Sequence, residues 1–374
     1  MLIQKSFLQK MPIKNKTTLE IDLSALAHNY KILRAETSPK TKFMAVVKAN
    51  AYGSDSIQIA KKLEDLGVDY FAVAYALEGE VLRAHGIQKP ILVLHPQRDQ
   101  LDEILKLNLE PTIYSFKGLE EVIAYSQNQR VPIHIKVNTG LNRLGFKPSE
   151  LDSVIELLKM NPSIDLKSVY SHLIASEDSQ SKAICQGQIA AFNKSVERFK
   201  KAGITIPLRH MTNTSGILNY KEAHFEMVRS GIGLYGFANG TYDSHLKPIG
   251  SLKTVISKIN QLSKGEGVGY NSGFVADKAM RVATLPIGHA DGITRIYSKG
   301  KAAVWIHNQP AEILGNVCMD MIMVNVTSIE CQEGDEVILF DQTHSACEFA
   351  EGAGTISYEL ITAIGPRVNR IVKQ

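Results

Sequence analysis

The chain is poor in cysteine, and this excludes two kinds of small cross-linked domain. It has four cysteines in 374 residues, and none belongs to a Cys-x-x-Cys pair. Cysteines so widely spaced specify neither a disulfide framework nor a zinc site, and no other metal site is expected. We expect buried, reduced thiols at all four positions, which are Cys185, Cys318, Cys331 and Cys347.

Charge of one sign and long apolar runs are also scarce. The 42 basic residues nearly balance the 38 acidic ones, and no dense basic cluster is interleaved with aromatic residues. A nucleic-acid-binding or membrane-docking protein is therefore disfavoured. No apolar stretch is long enough to span a bilayer, and residues 1–16 lack the apolar core of a signal peptide. We expect a cytoplasmic protein, and whether residues 1–16 are a native start or a fusion junction stays open.

The first two thirds of the chain alternate between short apolar runs and longer segments with helical spacing. Since the connections are too long for hairpins, parallel strands with helical crossovers are the economical explanation. Eight such strands predict an α/β fold with a (β/α)8 barrel, similar to a TIM barrel. The strand-like runs are 43–48, 69–74, 90–95, 109–115, 131–138, 165–173, 208–213 and 224–231.

The pattern changes after about residue 240. Alternating strand-like segments then follow closely, separated by turn residues, which predicts a second, mainly antiparallel β domain at the C-terminus. The Gly-rich polar stretch 240–250 is a reasonable boundary. We expect an N-terminal extension or strand over 1–18, the barrel over 19–240 and the β domain over 241–374.

Ionisable residues cluster at the expected C-terminal ends of the barrel strands, where such folds build their active sites. Lys48 follows the apolar run FMAVV, and its partly desolvated amine would be a usable nucleophile that forms an imine with an aldehyde. From spacing alone, a lysine that merely reaches solvent is the favoured interpretation, because lysines at strand ends are common. Lys136, His172, Asn213 and Arg229 stand at the ends of other runs.

The segment GIGLYG (231–236) matches a dinucleotide-binding fingerprint, but the acidic residue expected about 20 positions onward is missing. A small loop whose backbone N–H groups hold a single phosphate is the better interpretation, with a plain tight turn as the alternative. In the second domain, local sequence alone indicates only a partly exposed turn tyrosine at Tyr270, a half-buried tyrosine at Tyr358 and a turn acid at Asp320.

The segment VVKANAYG (46–53) resembles the cofactor-lysine motif of bacterial alanine racemases, which combine a barrel with a β domain. The resemblance extends from about Leu19 to the C-terminus. It includes KVNTGLNRLGF, SHL, HMTNTSG, VRSGIGLYG, GEGVGY, PIGHADG, CMDM and SYELITAIGPRV, in the family's order. Several ordered motifs across two domains are far more specific than one.

The resemblance implies a pyridoxal 5'-phosphate (PLP) enzyme that interconverts L-alanine and D-alanine. Lys48 would hold the cofactor as a Schiff base and act as one base, with Tyr270 as the second base. Two bases on opposite faces move the α-proton without any group swinging across the substrate. Other cofactor contacts would come from Tyr52, Arg143, His172, Asn213, Thr214, Arg229, Gly231, Ile232 and Tyr358.

Several of these residues have more specific implied roles. Arg229 would face the pyridine nitrogen, with His172 linking it to Tyr270. Because a guanidinium hardly ever gives up its proton, it would not keep the ring protonated, which disfavours side reactions such as transamination. Arg143 would contact the substrate carboxylate, which the backbone of Met319 also approaches. Asp320 would support the site, and Lys136 matches a lysine often carbamylated in the family, a modification that would steady Arg143.

Family members are homodimers, so Tyr270 and Met319 would act at the site that contains Lys48 of the other subunit. The resemblance also implies that the D-alanine produced would supply peptidoglycan. Three departures bear on details. His289 replaces a usual tyrosine and Asn316 a usual arginine, which leaves substrate breadth open. HMTNTSG carries Thr214 and Ser215 where one serine is typical, so either could contact the phosphate.

Two other kinds of PLP-binding protein compete with this interpretation. A PLP decarboxylase would need a Cys-x-x-x-Asp type motif and no second base. A PLP-binding homeostasis protein would be a single barrel, whereas this chain has over 100 residues more than such a barrel needs. A broad-specificity racemase, or one acting on serine, lysine or arginine, is the nearest alternative.

Overall fold

The computed structural model of the chain describes residues 16–97, 99–127, 129–238 and 243–374. These residues form two compact units. One is Leu23–Lys247, and the other combines Pro248–Gln374 with the described residues up to Asp22. Most of the expected N-terminal extension, residues 1–15, and the expected boundary at 240/241 lie outside the described residues.

The first strand belongs to the second unit rather than to the barrel. Strand β1 (Thr18–Asp22) pairs antiparallel with residues 250–253 and parallel with residues 369–373. The sequence-based boundary put residues from 19 onward in the barrel domain. Alternation in TLEID, with Leu19 and Ile21 buried, indicates a strand, but its hydrogen-bonding partners lie more than 200 residues away. Local sequence therefore could not assign β1 to a domain.

The first unit is the expected barrel-like sheet. Neighbouring strands pair in parallel in the order β8-β7-β6-β5-β4-β3-β2-β9, which confirms the predicted (β/α)8 class. Strands covered on both faces read as nearly continuous apolar runs, which is why the sequence showed them. The strands are β2 (Lys42–Val46), β3 (Tyr70–Val73), β4 (Ile91–Val93), β5 (Glu110–Ile113), β6 (Val131–Lys136), β7 (Ile164–Tyr170), β8 (Leu208–His210) and β9 (Met227–Ser230).

Helices follow these strands, and side-chain caps fix the starts of some of them. Asp55 accepts hydrogen bonds from the backbone N–H groups of Ile57 and Gln58, and Ser115 accepts one from Gly118. Caps of this kind contribute about 1 kcal/mol each. The helices are Leu23–Ala35, Ser56–Asp65, Ala76–Ala84, Leu101–Lys106, Phe116–Ser126, Leu151–Met160, Lys182–Lys201 and Thr214–Asn219.

The longest helix, Lys182–Lys201, shows how the outer layer packs. Cys185, Ile189, Phe192, Val196 and Phe199 recur at spacings of three and four residues and are all buried against the barrel core. Removing each large apolar side chain from water contributes roughly 1.5–3 kcal/mol. The opposite face carries the charged residues.

The second unit is built on a nine-stranded sheet in the order β11-β14-β17-β16-β15-β18-β10-β1-β19. Its pairs are antiparallel except β1 with β19, which confirms a mainly antiparallel β domain. Strands β12 (Gly267–Val268) and β13 (Phe274–Val275) pair with each other in a separate two-stranded sheet. The other strands of the unit after β1 are β10 (Gly250–Val255), β11 (Lys258–Leu262), β14 (Met280–Leu285), β15 (Ala303–Ile306), β16 (Gln309–Leu314), β17 (Ile322–Asn325), β18 (Glu336–Phe340) and β19 (Asn369–Lys373), with helices Ala346–Glu351 and Ser357–Thr362.

The cysteines differ from expectation. All four are free thiols, but only Cys185 is fully buried, and the other three lie in the β unit with part of their surface exposed. Within the described part of the chain, no helix combines the length and apolar character needed to cross a bilayer.

Candidate active site

Lys48 leaves β2 through a left-handed turn. Residues 49–52 all have positive φ, between 51° and 54°, although none is glycine. Such a run costs on the order of 1 kcal/mol per residue and must be imposed by surrounding contacts. Glu78 supplies one, since its carboxylate accepts a 2.6 Å hydrogen bond from the backbone N–H of Ala49. The turn places Lys48 at the C-terminal end of its strand and buries Tyr52 four residues later.

Four cations surround this end of the barrel. Lys136 is only 7% exposed, and burial, with the nearby charges of Arg143, Arg229 and Lys48, lowers its pKa to about 8. Burial, and then Arg143, also lower the pKa of Lys48, against the opposing effect of Glu78. Positive charges therefore outnumber negative ones here, an arrangement that favours an anionic ligand.

Arg229 is the most buried of these cations, at 4% exposure. One guanidinium nitrogen, Nη2, donates hydrogen bonds to the backbone oxygen of Ser171 at 2.9 Å and to Nδ1 of His172 at 3.0 Å. The other, Nη1, donates to Nδ1 of His210. The guanidinium carbon of Arg229 lies 5.3 Å from the ring centre of Tyr170. Burial lowers the pKa of Arg229 to about 10, which still leaves it charged at neutral pH.

The two histidines beside Arg229 are neutral. Burial first, and then the charge of Arg229, hold the pKa values of His172 and His210 well below the usual range. Because a guanidinium only donates, both Nδ1 atoms must accept, so each ring carries its proton on Nε2. His172 therefore presents an N–H group on the side away from Arg229.

A small cradle lies beyond β9. A side chain at Gly231 would place its Cβ 2.2 Å from the hydroxyl oxygen of Tyr52, so glycine is required there. Thr214 Oγ1 hydrogen-bonds Ser230 Oγ at 3.0 Å and accepts the backbone N–H of Gly233 at 3.1 Å. Hydroxyl groups and backbone N–H groups thus converge on the short turn Ile232–Tyr235. Such a donor set suits one phosphate.

Asn213 and Ser215 stand at the edge of this cradle. The side-chain oxygen of Asn213 accepts hydrogen bonds from the N–H of Gly216 at 2.8 Å and the hydroxyl of Ser176 at 2.6 Å. Asn213 therefore caps helix Thr214–Asn219. Thr214, rather than Ser215, makes the cradle's hydrogen bonds, although both are buried.

In the β unit, Tyr270 lies on a strained exposed loop. Its side chain is 72% exposed, and the following Asn271 and Ser272 have φ of 59° and 45°. Asn316 holds the loop, because its Nδ2 donates a 3.1 Å hydrogen bond to the backbone oxygen of Tyr270. A Cβ on Gly273 would lie 2.6 Å from that same nitrogen.

Met319 and Asp320 lie on a neighbouring loop fastened by Arg367. The guanidinium of Arg367 makes two hydrogen bonds to the buried carboxylate of Asp291, at 2.6 and 3.0 Å, and one ion pair with Asp320 at 2.8 Å. The backbone oxygen of Met319 accepts the N–H of Ala290 at 3.0 Å. Met319 itself is 58% exposed.

Two other β-unit positions flagged by sequence are also surface positions. Tyr358 is 38% exposed on helix Ser357–Thr362, so more than half of its surface is covered. His289 is exposed, and its backbone N–H donates to the backbone oxygen of Cys318 at 3.0 Å.

The structure thus gathers the barrel residues singled out from sequence around the ends of the strands, and it places Tyr270, Met319, Asp320 and Tyr358 on the β unit. Sequence reasoning missed the residues behind Arg229. These are Glu110, His134 and Ser168, linked to His210 by hydrogen bonds. A polar residue inside an otherwise apolar barrel strand, as in VPIHIK, was the signal that could have found them.

Family models for the two domains match nearly the whole chain. The alanine racemase N-terminal domain matches residues 21–239 and the alanine racemase C-terminal domain matches residues 249–372. Alanine racemase from Methanococcus maripaludis is 36% identical over 94% of this chain and 97% of its own length. Alanine racemase from Clostridium novyi is 37% identical, with 94% of each chain covered.

Solved structures give the same result. Alanine racemase from Clostridium difficile 630 has a TM-score of 0.90 and 32% identity, with 96% of both chains covered. The Bacillus anthracis alanine racemase with bound L-Ala-P has a TM-score of 0.91 and 30% identity, over 97% of this chain and 96% of that one. With both domains matched in order, the chain belongs to the alanine racemase family and is an amino-acid racemase.

Proposed function

We propose that the chain racemises alanine with PLP, using Lys48 and Tyr270 of the partner subunit as its two bases. The observation that carries this proposal is the concentration of Lys48, Lys136, Arg143 and Arg229 at one end of the barrel. Only Glu78 raises the pKa of Lys48 there, and its oxygens already accept backbone N–H groups. An anionic cofactor together with a substrate carboxylate would offset this charge.

The residues fit both ends of the PLP molecule, its phosphate group and its aldehyde-bearing ring. Tyr52, Thr214 and the backbone around Gly231 offer hydroxyl and N–H donors for a phosphate, and glycine leaves room beside the Tyr52 hydroxyl. Asn213, Ile232 and Tyr358 are proposed to complete the contacts. When bound, the cofactor supplies an aldehyde that forms an imine with an amine, and a ring that takes up negative charge.

Lys48 is suited to exchange a proton with the α-carbon. Burial and the charge of Arg143 lower its pKa, so its amine gives up a proton more easily than a solvated lysine. Arg143 is proposed to orient the substrate carboxylate while it depresses the pKa of Lys48. The backbone of Met319 would approach the same carboxylate, and Asp320 would hold Met319 in place through Arg367.

Tyr270 is proposed to move a proton on the face of the α-carbon opposite Lys48. A phenol titrates near 10, so it needs positive charge and hydrogen-bond donors nearby. His172 carries its proton on Nε2 and could donate it toward such a phenol oxygen, since its Nδ1 already accepts from Arg229. Arg229 would face the pyridine nitrogen and, by keeping its proton, leave the ring unprotonated.

Self-association is proposed because Tyr270 is exposed on its own unit. Met319, Met321 and Ile356 of that unit are also exposed apolar residues, at 58%, 48% and 61%. Exposed apolar side chains that form one contiguous patch are typical of a protein interface. A homodimer would bury them and bring Tyr270 of the partner subunit to Lys48.

Lys136 is proposed to react with CO2 and carry a carbamate that steadies Arg143. Its amine, with a pKa of about 8, is partly unprotonated near neutral pH. The carbamate would turn a cation into an anion beside three other cations. A cytoplasmic role in supplying D-alanine to peptidoglycan completes the proposal.

The experiment uses the PLP-loaded protein and L-alanine, and follows the appearance of D-alanine. Lys48→Ala and Tyr270→Phe should each abolish most of the racemisation, whereas full activity in either variant refutes the two-base mechanism. Borohydride reduction should attach the pyridoxyl group to Lys48 and to no other lysine. Parallel assays with serine, lysine and arginine test the broad-specificity alternative, which faster turnover of any of them would support.

A further inference from the structure

Behind Arg229, one residue from each of five consecutive barrel strands joins a continuous chain of hydrogen bonds. Arg229 on β9 donates to His210 on β8, and His210 Nε2 lies 3.0 Å from Ser168 Oγ on β7. Ser168 Oγ lies 2.6 Å from His134 Nδ1 on β6, and His134 Nε2 lies 2.7 Å from the carboxylate of Glu110 on β5.

The chain is buried along almost its whole length. His134, Ser168 and His210 have no measurable exposure, and the Glu110 side chain is only 12% exposed. Tyr170 stacks on His210, with ring centres 4.7 Å apart and planes at 9°. The rings therefore cannot turn over without repacking the barrel interior.

Its two ends fix the direction of every hydrogen bond between them. Arg229 can only donate, so His210 accepts at Nδ1 and must donate from Nε2 to Ser168. The Ser168 hydroxyl then has its single proton free for His134 Nδ1.

His134, having accepted at Nδ1, carries its proton on Nε2 and donates it to the carboxylate of Glu110. If the hydrogen bonds ran in the opposite direction, His210 would carry a proton on Nδ1, and that proton would face an N–H group of Arg229. All donors therefore point from Arg229 toward Glu110.

We propose that Glu110, acting through His134, Ser168 and His210, is the positioning residue that holds Arg229 in one orientation. This inference rests on the proposed role of Arg229 beside the pyridine nitrogen. A hydrogen-bond acceptor at Nη1 and another at Nη2 fix both arms of the guanidinium. The same chain links the buried cation through hydrogen bonds to a carboxylate that lies four strands away.

The orientation of Arg229 also affects the proposed second base, Tyr270, through His172. His172 accepts from the other arm of Arg229, so a guanidinium held in place fixes the His172 proton on Nε2. Releasing the far end of the chain frees the His134 ring and so weakens the support that Ser168 and His210 give the guanidinium. Glu110, His134 and Ser168 are thus expected to act on the reaction without touching the substrate.

The first test reads the proton positions directly, in protein without cofactor. Nitrogen-15 NMR of protein labelled at histidine should show His134 and His210 protonated at Nε2 and unprotonated at Nδ1. In Glu110→Gln, whose amide can accept or donate, the His134 ring should populate both tautomers, whereas His210 should stay protonated at Nε2 because Arg229 still only donates. A single unchanged tautomer of His134 in Glu110→Gln, or protonated Nδ1 atoms in the wild type, overturns the inference.

The second test compares kinetics in the PLP-loaded enzyme. Ser168→Ala interrupts the chain and Ser168→Thr keeps the hydroxyl, so Ala should lower kcat about tenfold and Thr should restore most of it. Ser195→Ala is the matched control, because it removes a buried serine hydroxyl that donates a 2.8 Å hydrogen bond to the backbone oxygen of Ala191 in helix Lys182–Lys201, outside the chain. A tenfold loss in Ser195→Ala, or none in Ser168→Ala, contradicts the proposal.

The two tests separate this inference from the proposed function. If the wild type shows the expected histidine tautomers but does not racemise alanine, the oriented chain stands and the assigned reaction fails. If it racemises alanine with the wrong tautomers, only the positioning role of Glu110 fails.

Discussion

The side-chain nitrogen of Asn316 donates a 3.1 Å hydrogen bond to the backbone carbonyl of Tyr270. Gly273 packs against the same nitrogen, and a Cβ there would approach it to 2.6 Å. Asn316 stands where the resemblance leads one to expect arginine. The shorter residue fits beneath a loop whose next two residues hold positive φ, and so fastens the proposed base to β-unit backbone.

Asn316→Ala should impair one direction of proton transfer more than the other. Losing one hydrogen bond and loosening the loop should lower kcat about tenfold, while Lys48 stays intact. Exchange of the α-hydrogen with deuterated water, measured separately from each pure enantiomer, should fall unequally. Asn260→Ala, an exposed asparagine on β11, is the control. Equal losses from both enantiomers would contradict a specific effect on Tyr270.

Gly231→Ala should weaken cofactor binding. Its Cβ would sit 2.2 Å from the Tyr52 hydroxyl oxygen, so Tyr52 or the turn must move out of the cradle. We expect the dissociation constant for PLP, followed by absorbance titration, to rise at least about tenfold, the equivalent of one hydrogen bond.

Gly187→Ala is the matched control for this change. Its Cβ meets nothing within 4 Å, and in helix Lys182–Lys201 alanine should stabilise the fold by up to about 1 kcal/mol. Wild-type PLP affinity in Gly231→Ala would show that the cradle does not hold the phosphate.

Carbamate formation at Lys136 should follow pH in a defined direction. Burial, and then Arg143, Arg229 and Lys48, lower the pKa of its amine to about 8. Only the unprotonated amine reacts with CO2, so the carbamate should increase as pH rises through 8 and disappear at lower pH. Carbon-13 NMR in labelled bicarbonate measures this signal. A carbamate resonance that persists in Lys136→Met would place the modification elsewhere.

Arg229→Glu should redirect the reaction. A carboxylate beside the pyridine nitrogen would favour a protonated ring, and it would also face two histidine Nδ1 atoms that now accept hydrogen bonds. Racemisation should fall about a hundredfold, roughly 3 kcal/mol, while pyruvate from transamination and long-wavelength absorbance during turnover should rise. If both the spectrum and pyruvate formation were unchanged, Arg229 would not be the residue that limits the spread of negative charge into the cofactor ring.

Much of the barrel could be predicted because its strands are covered on both faces. All eight apolar runs in the first two thirds of the chain correspond to β2–β9, each within a few residues. The strand β1 was placed in the wrong domain, since its partners are residues 250–253 and 369–373. Periodicity indicates a strand, whereas pairing depends on contacts distant in sequence.

The candidate site divides in a similar way. Lys48, Lys136 and Arg229 could be located because they end barrel strands, and those ends meet at one rim. Glu110, His134 and Ser168 could not, because a polar residue inside a strand says nothing about which neighbour it meets. Their directional contact across adjacent strands depends on register, and register is fixed only when the sheet forms.

By itself, then, the sequence determined the succession of strands and helices, the two-domain composition and the motifs of the alanine racemase family. These are properties of local patterning and of residue order. Only the tertiary structure decided that Arg229 has two neutral histidines as acceptors and that Asn316 fastens Tyr270. The physical reason is that proton position, burial and charge depend on which side chains meet, and folding brings these together from distant parts of the chain.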